Sequence, residues 1–260
     1  MAVLKAYFTD DNRTRIRGYR EIGIEYRLLW EAIAGGRLLR ASYLAGPVQA
    51  RCWKYALSGD LQRAADTFIN NAMIGETEEH ARWLAENVFF EDGLIYRIVR
   101  KAPKFGKLLD TAPVPGANEA LRAAHEKRIP TAILSMGFRE FIGAHLRKHG
   151  YMEDVDRILA NGLLIKNGKI AGIDRKVVDK GESIEELFDG FGLNHDGSGV
   201  AYGGDEILDL PALERVEYAF ISPIAKPKVR DELEGRLTDK GRKVLIPKDY
   251  REVVNKFGLD

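Results

Sequence analysis

From residue 117 onward the chain alternates between amphipathic stretches of helical period and short apolar runs, and that rhythm constrains the fold most. Residues 117–127, 138–149, 181–191, 209–214 and 226–237 read as helices, and 130–134, 199–203, 217–221 and 243–246 as buried strands. A strand that must cross over through a helix before the next strand returns parallel to its neighbour. The expected architecture is α/β: a mostly parallel sheet with helices on both faces. Residues 158–173 interrupt the pattern as a small β region turning at Asn167-Gly168. An opening strand, AVLKAYFT at residues 2–9, stops at the polar turn Asp10-Asp11-Asn12-Arg13-Thr14.

Between that strand and the alternating half the texture differs. Leu28, Leu29, Ile33, Leu38 and Leu39 recur at near-helical spacing, with Trp30 among them. Segments 47–58, 60–74 and 76–89 continue as helices, broken at Gly46-Pro47, Ser58-Gly59-Asp60 and Gly75, with Asp60 and Thr77 as N-caps. Residues 93–99 read as either helix or strand, and a Pro-rich break follows at 101–116. The expected organisation is a core from residues 1–15 and 106–260, with a helical domain of residues 16–105 inserted after the first strand. Trp30, Trp53 and Trp83 are expected in the core of that insertion.

Forty basic residues balance thirty-nine acidic ones, for a net charge of +1. No global field draws nucleic acid or an anionic membrane, so any phosphate affinity must be built locally. The sole cysteine, Cys52, allows no intrachain disulfide, which suits a reducing compartment. The opening Met1-Ala2-Val3-Leu4-Lys5 does not read as a signal peptide, and no apolar run reaches the ~18 residues of a membrane span. A soluble, cytoplasmic protein is expected.

In open α/β sheets ligands gather at the carboxyl ends of the strands. Polar signals fall at such ends: Asp10 after the first strand, Ser135 closing Ile133-Leu134, Lys180 before a helix, and Gly204-Asp205-Glu206-Ile207-Leu208-Asp209. Nearby carboxylates suit a hard cation such as Mg²⁺. A carboxylate nucleophile can take a phosphoryl group as an acyl phosphate, while a hydroxyl and an ammonium grip the phosphoryl oxygens. The five histidines are scattered. His125, His145 and His149 lie in polar helical stretches and read as surface residues, and none forms a zinc set with Cys52. Gly197-Ser198-Gly199 lacks the Gly-Lys-Ser/Thr of a nucleotide loop.

The ordered set Asp10, Ser135, Lys180 and Gly204-Asp205-x-x-x-Asp209 resembles the haloacid dehalogenase superfamily, in its phosphoserine-phosphatase-like branch. TAILSMGF resembles motif II, VVDKGESIEEL motif III, and GGDEILDLPALERV motif IV with its Asp-Leu-Pro continuation. PGANEAL, NGKIAG and FISPIAKPKVRDEL resemble the flanking helix, the short β-turn and the later strand-Pro-helix. The resemblance implies a three-layer Rossmann-like core, with the insertion as a helical cap of C1 type. It implies a Mg²⁺-dependent phosphatase acting on a small phosphorylated substrate, with neither nucleic acid nor membrane as partner. By the same resemblance Asp10 is the nucleophile, and Ser135, with Met136 and Gly137, binds phosphate. Lys180 bridges phosphate and nucleophile. Asp10, Asn12 (through its backbone carbonyl), Asp205 and Asp209 form the metal site, with Asp209 orienting it or its waters.

Motif I departs from the family's Asp-x-Asp-x-Thr. With Asp10 as nucleophile, Thr14 falls in place as a substrate-binding residue, but Asn12 holds the position of the general acid/base. An amide cannot exchange a proton at working pH, a loss on the order of 10²–10⁴-fold. With Asp11 as the acid instead, Thr9 holds the nucleophile position and an aspartyl phosphate is excluded. The Asp10 register keeps more motif residues. Asn12 also admits a second expectation, an impaired relative that binds a phosphorylated ligand or a protein partner. A metal-free dehalogenase is disfavoured by the paired acids at 205 and 209. Glu21 matches only loosely the glutamate with which phosphoserine phosphatases read their amino acid.

Overall fold

The computed structural model describes residues 4–11, 69–87 and 113–259, with isolated positions between 36 and 67. Seven strands form one sheet in the order β4-β3-β2-β1-β5-β6-β7. They are β1 (Ala6–Thr9), β2 (Thr131–Phe138), β3 (Arg157–Lys166), β4 (Lys169–Asp174), β5 (Val200–Gly204), β6 (Tyr218–Ile221) and β7 (Lys243–Leu245). All neighbours pair parallel except β3 and β4. Those two form the expected hairpin, with Asn167 and Gly168 at φ 51 and 70 as a tight antiparallel turn requires.

The helices are α1 (Glu78–Asn87), α2 (Ala117–Glu126), α3 (Arg139–Lys148), α4 (Lys180–Phe191), α5 (Leu210–Leu213), α6 (Pro227–Asp239) and α7 (Tyr250–Phe257). Side chains alternate across each strand, so the sheet carries a core on both faces. Phe8, Ala132, Leu134 and Tyr202 pack with Ile184, Leu187 and Phe188 of α4, Leu213 of α5 and Leu233 of α6. On the other face Tyr7, Ile133, Ala201 and Phe220 meet Leu121 of α2, Ile142 of α3 and Tyr250 of α7. Each large apolar side chain so buried contributes about 1.5–3 kcal/mol relative to exposure. The fold is therefore a three-layer, mostly parallel, Rossmann-like α/β core.

The chain builds outward from β1 through β2 and β3 to one side, then through β5, β6 and β7 to the other. The order reverses between β1 and β5, and a crevice for a ligand opens at such a point. Thr9 pairs with Ile133 and with Gly203, so Asp10, Ser135 and Asp205 follow at one edge of the sheet.

The described part of the expected insertion is helical, Ile69–Met73 and α1, and residues 93–99 and Asp60 lie outside the described residues. Thr77 caps α1 as expected, accepting from His80 N at 3.0 Å. The preceding residues pair with the edge strand β4, Gly75 N to Ile170 O at 2.8 Å and Ile170 N to Glu76 O at 2.9 Å. This segment therefore covers backbone groups that an edge strand leaves open.

Some expectations need correction. β2 does not stop before Ser135 but runs to Phe138, with its register against β3 shifting between those residues. Asn161 of β3 sustains the extension by donating Nδ2 to Met136 O at 2.8 Å. His145 is buried, because on α3 it shares the inward face with Phe141 and Ile142. Its ring lies 4.5 Å from that of His149, which is half-buried.

Candidate functional site

Asp10 leaves β1 with its N–H still bonded to Gly203 O, at 2.8 Å. Sheet pairing thus continues one residue past the strand and fixes where the Asp10 side chain starts. Opposite it, β5 ends in Gly203-Gly204. A Cβ at Gly204 would lie 2.4 Å from Asp209 Cβ and Cγ, so the glycine makes room for that carboxylate to fold back under the strand end. A turn at Ile207–Asp209 returns the chain, closed by reciprocal bonds between Glu206 and Asp209.

Asp209 is buried and heavily bonded. Its Oδ2 accepts from Asp205 N at 2.8 Å and Glu206 N at 2.9 Å. Its Oδ1 accepts from Lys180 Nζ at 2.5 Å and from the Tyr202 hydroxyl at 3.0 Å. Lys180 is the first residue of α4, whose N-cap Asp179 accepts from Gly181 N and Glu182 N. That start aims the lysine into the crevice, with its Nζ 2.9 Å from Asp10 Oδ1. Asp10, Asp205 and Asp209 each offer an oxygen, all within 4.8 Å of one another.

The electrostatics follow from burial. Asp10 is 6% exposed, Lys180 5%, Asp205 2% and Asp209 1%. Burial pushes the Asp10 carboxyl up to about 7, with Lys180 opposing and Asp209 and Glu206 adding to the rise. For Lys180 burial disfavours the ammonium, but Asp10 and Asp209 outweigh it and hold the pKa above its ordinary value. Three buried carboxylates thus face one buried ammonium. Uncompensated buried charge is costly, and a cation with oxygen ligands would relieve it. The donor set of Asp10, Asp205 and Asp209 fits a hard divalent ion.

Asp10, Lys180, Asp205 and Asp209 therefore come together. Ser135, 2% exposed, stands at the same sheet edge, its Oγ accepting from Gly137 N at 3.1 Å. Met136 and Gly137 follow it on β2, half-buried. Asn12 and Thr14 lie outside the described residues. Asp11 is buried beside Asp10, but the carboxylate that meets Lys180 is that of Asp10. Sequence reasoning missed Tyr202 and Asn161. The only sequence signal was a phenol or an amide inside an otherwise apolar strand. Asn161 Oδ1 also accepts from Lys176 N and Val177 N, each at 3.0 Å, tying the Ser135 turn to the approach of α4.

The sequence model of the haloacid dehalogenase-like hydrolases matches residues 25–214, a stretch that takes in Ser135, Lys180, Asp205 and Asp209 but begins after Asp10. No curated protein matches significantly. Among solved structures, a phosphoserine phosphatase in apo form is 16% identical, with a TM-score of 0.56 over 98% of both chains. A phospho-aspartyl intermediate analogue of phosphoserine phosphatase is 21% identical, with a TM-score of 0.52 over 98% of both chains. A protein of unknown function from Bordetella pertussis Tohama I is 13% identical, with a TM-score of 0.62 over 94% of this chain and 99% of that one. At these identities the likeness is one of fold. Among the described residues no helix is long and apolar enough to cross a membrane.

Proposed function

The chain belongs to the haloacid dehalogenase-like hydrolases, and we propose that within this family it is a Mg²⁺-dependent phosphatase of a small phosphomonoester. One observation carries the reading: the buried Asp10 carboxylate lies 2.9 Å from Lys180 Nζ and within 4.8 Å of the Asp205 and Asp209 oxygens. A nucleophile, a cationic grip and a divalent-metal site then share one crevice. The phospho-aspartyl intermediate analogue of a phosphoserine phosphatase of this fold supports the reading.

In this reading Asp10 attacks phosphorus, the bond to the leaving oxygen breaks, and an aspartyl phosphate forms. Water then attacks that phosphorus, returning the free carboxylate and inorganic phosphate. Lys180 and the Ser135 hydroxyl hold the phosphoryl oxygens where charge gathers. Asp10 and Asp205 would hold Mg²⁺, with Asp209 orienting the site and the Asn12 carbonyl as a further oxygen. When bound there, Mg²⁺ would supply positive charge against the repulsion between carboxylate and phosphate. In the same reading residues 16–105 serve as the cap that excludes water and selects the substrate, and residues 1–15 and 106–260 as the core domain.

Asn12 favours a second reading, a slow or inactive relative that binds a phosphorylated ligand or a protein partner. The test is a panel of phosphomonoesters with Mg²⁺. The proposal expects phosphate release that disappears with Asp10→Ala. Release from no substrate, or release indifferent to Asp10→Ala, removes it.

A further inference from the structure

We infer that Tyr202 is a positioning residue: its hydroxyl occupies a lone pair of Asp209 Oδ1 and thereby keeps Lys180 shared between Asp209 and Asp10. The side chain is fully buried on β5, in the core cluster with Phe8, Leu134 and Phe188. A phenylalanine would fill that space, so the hydroxyl is not there for packing. Among the described residues its hydroxyl donates to Asp209 Oδ1, at 3.0 Å.

A carboxylate accepts about four hydrogen bonds. Asp209 receives them from Asp205 N, Glu206 N, Lys180 Nζ and the Tyr202 hydroxyl. Each donor on Oδ1 lowers that oxygen's hold on the other. Lys180 sits 2.5 Å from Asp209 and 2.9 Å from Asp10, so it is balanced between competing carboxylates. Removing the hydroxyl strengthens the pull of Asp209 and draws the ammonium away from Asp10, lengthening that contact. The kinetic consequence rests on the proposed phosphatase reading, since Lys180 must reach the phosphoryl oxygens beside Asp10. The geometric consequence does not depend on that reading.

The test is Tyr202→Phe. A crystal structure of the variant is expected to show Lys180 Nζ drawn toward Asp209 and farther from Asp10 than the 2.9 Å of the wild type. In solution, the side-chain resonance of Lys180 in nitrogen-labelled protein is expected to shift accordingly. The inhibition constant of inorganic phosphate and KM are expected to rise about tenfold, the scale of one hydrogen bond to a charged group. Mg²⁺ affinity by calorimetry is expected to stay near that of the wild type, and the urea midpoint to fall only by the loss of one buried hydrogen bond. Lys180 at an unchanged distance from Asp10 in the variant, with its resonance unmoved, overturns the inference. So does a parallel fall in stability, metal affinity and kcat, which marks a structural role. A wild type that releases no phosphate refutes the phosphatase reading instead, and the position of Lys180 in the variant still decides this inference.

Discussion

Gly204 and Asp209 occupy space that only one Cβ can fill: a methyl on Gly204 would come within 2.4 Å of the Asp209 carboxylate carbon. The close approach lets Asp209 reach back to Asp205 N and Glu206 N and stiffens the turn that aims Asp205 at Asp10. We predict that Gly204→Ala costs about 1–3 kcal/mol of stability by overpacking. It should also abolish Mg²⁺ binding, read by calorimetry on protein that urea titration shows to be folded.

Asn12 stands where the proposed chemistry needs a proton donor. Asn12→Asp is predicted to raise phosphatase turnover by about 10²–10⁴-fold if proton transfer limits the natural protein. Steady-state kinetics on the best substrate of a phosphomonoester panel checks this. An unchanged rate with intact folding would mean that Asn12 does not hold that position.

The pKa of Asp10 gives a pH prediction for the metal-free protein. Burial raises it from 3.8 to about 7 in the folded state. Between those values the folded state holds a proton that the unfolded state has lost, so stability falls as pH rises from about 4 to about 7. Asp10→Asn should flatten that part of the profile. Mg²⁺ requires the ionised carboxylate, so its stabilising effect should grow as pH rises through the same window. Urea midpoints with and without Mg²⁺ across pH test both statements.

Tyr7 stacks on Phe220 with ring centroids 5.6 Å apart, yet its buried hydroxyl has no hydrogen-bond partner among the described residues. A buried unmade hydrogen bond costs about 1–3 kcal/mol. Tyr7→Phe should therefore stabilise the protein, by about 1 kcal/mol in urea unfolding. Destabilisation would show that the hydroxyl is satisfied.

The sheet was legible where burial writes a continuous apolar run, as in β1 and β6, and where helices carry a 3.6-residue period. The positions of Asp10, Lys180, Asp205 and Asp209 were legible because each sits at the end of such a run or at a helix start. What escaped depends on partners distant in sequence. The extension of β2 past Ser135 is held by Asn161, and Tyr202 acquires its role only when the turn brings Asp209 back beneath it. His145 escaped because its polar neighbours hid its alignment with Phe141 and Ile142 on the buried face of α3. The helix α7 lies beyond the last expected element, although Asp249 caps its start and Gly258, at φ 62, ends it. These are local signals.

The central claim is that Asp10 becomes phosphorylated, and covalent trapping tests it most directly. The protein is turned over with Mg²⁺ and its best phosphomonoester, quenched in acid, reduced with borohydride and digested for mass spectrometry. An aspartyl phosphate is reduced to homoserine at its own position. The account predicts homoserine at Asp10 and nowhere else. Turnover with the modification at Ser135 or another residue, or with Asp10 unmodified, would contradict it.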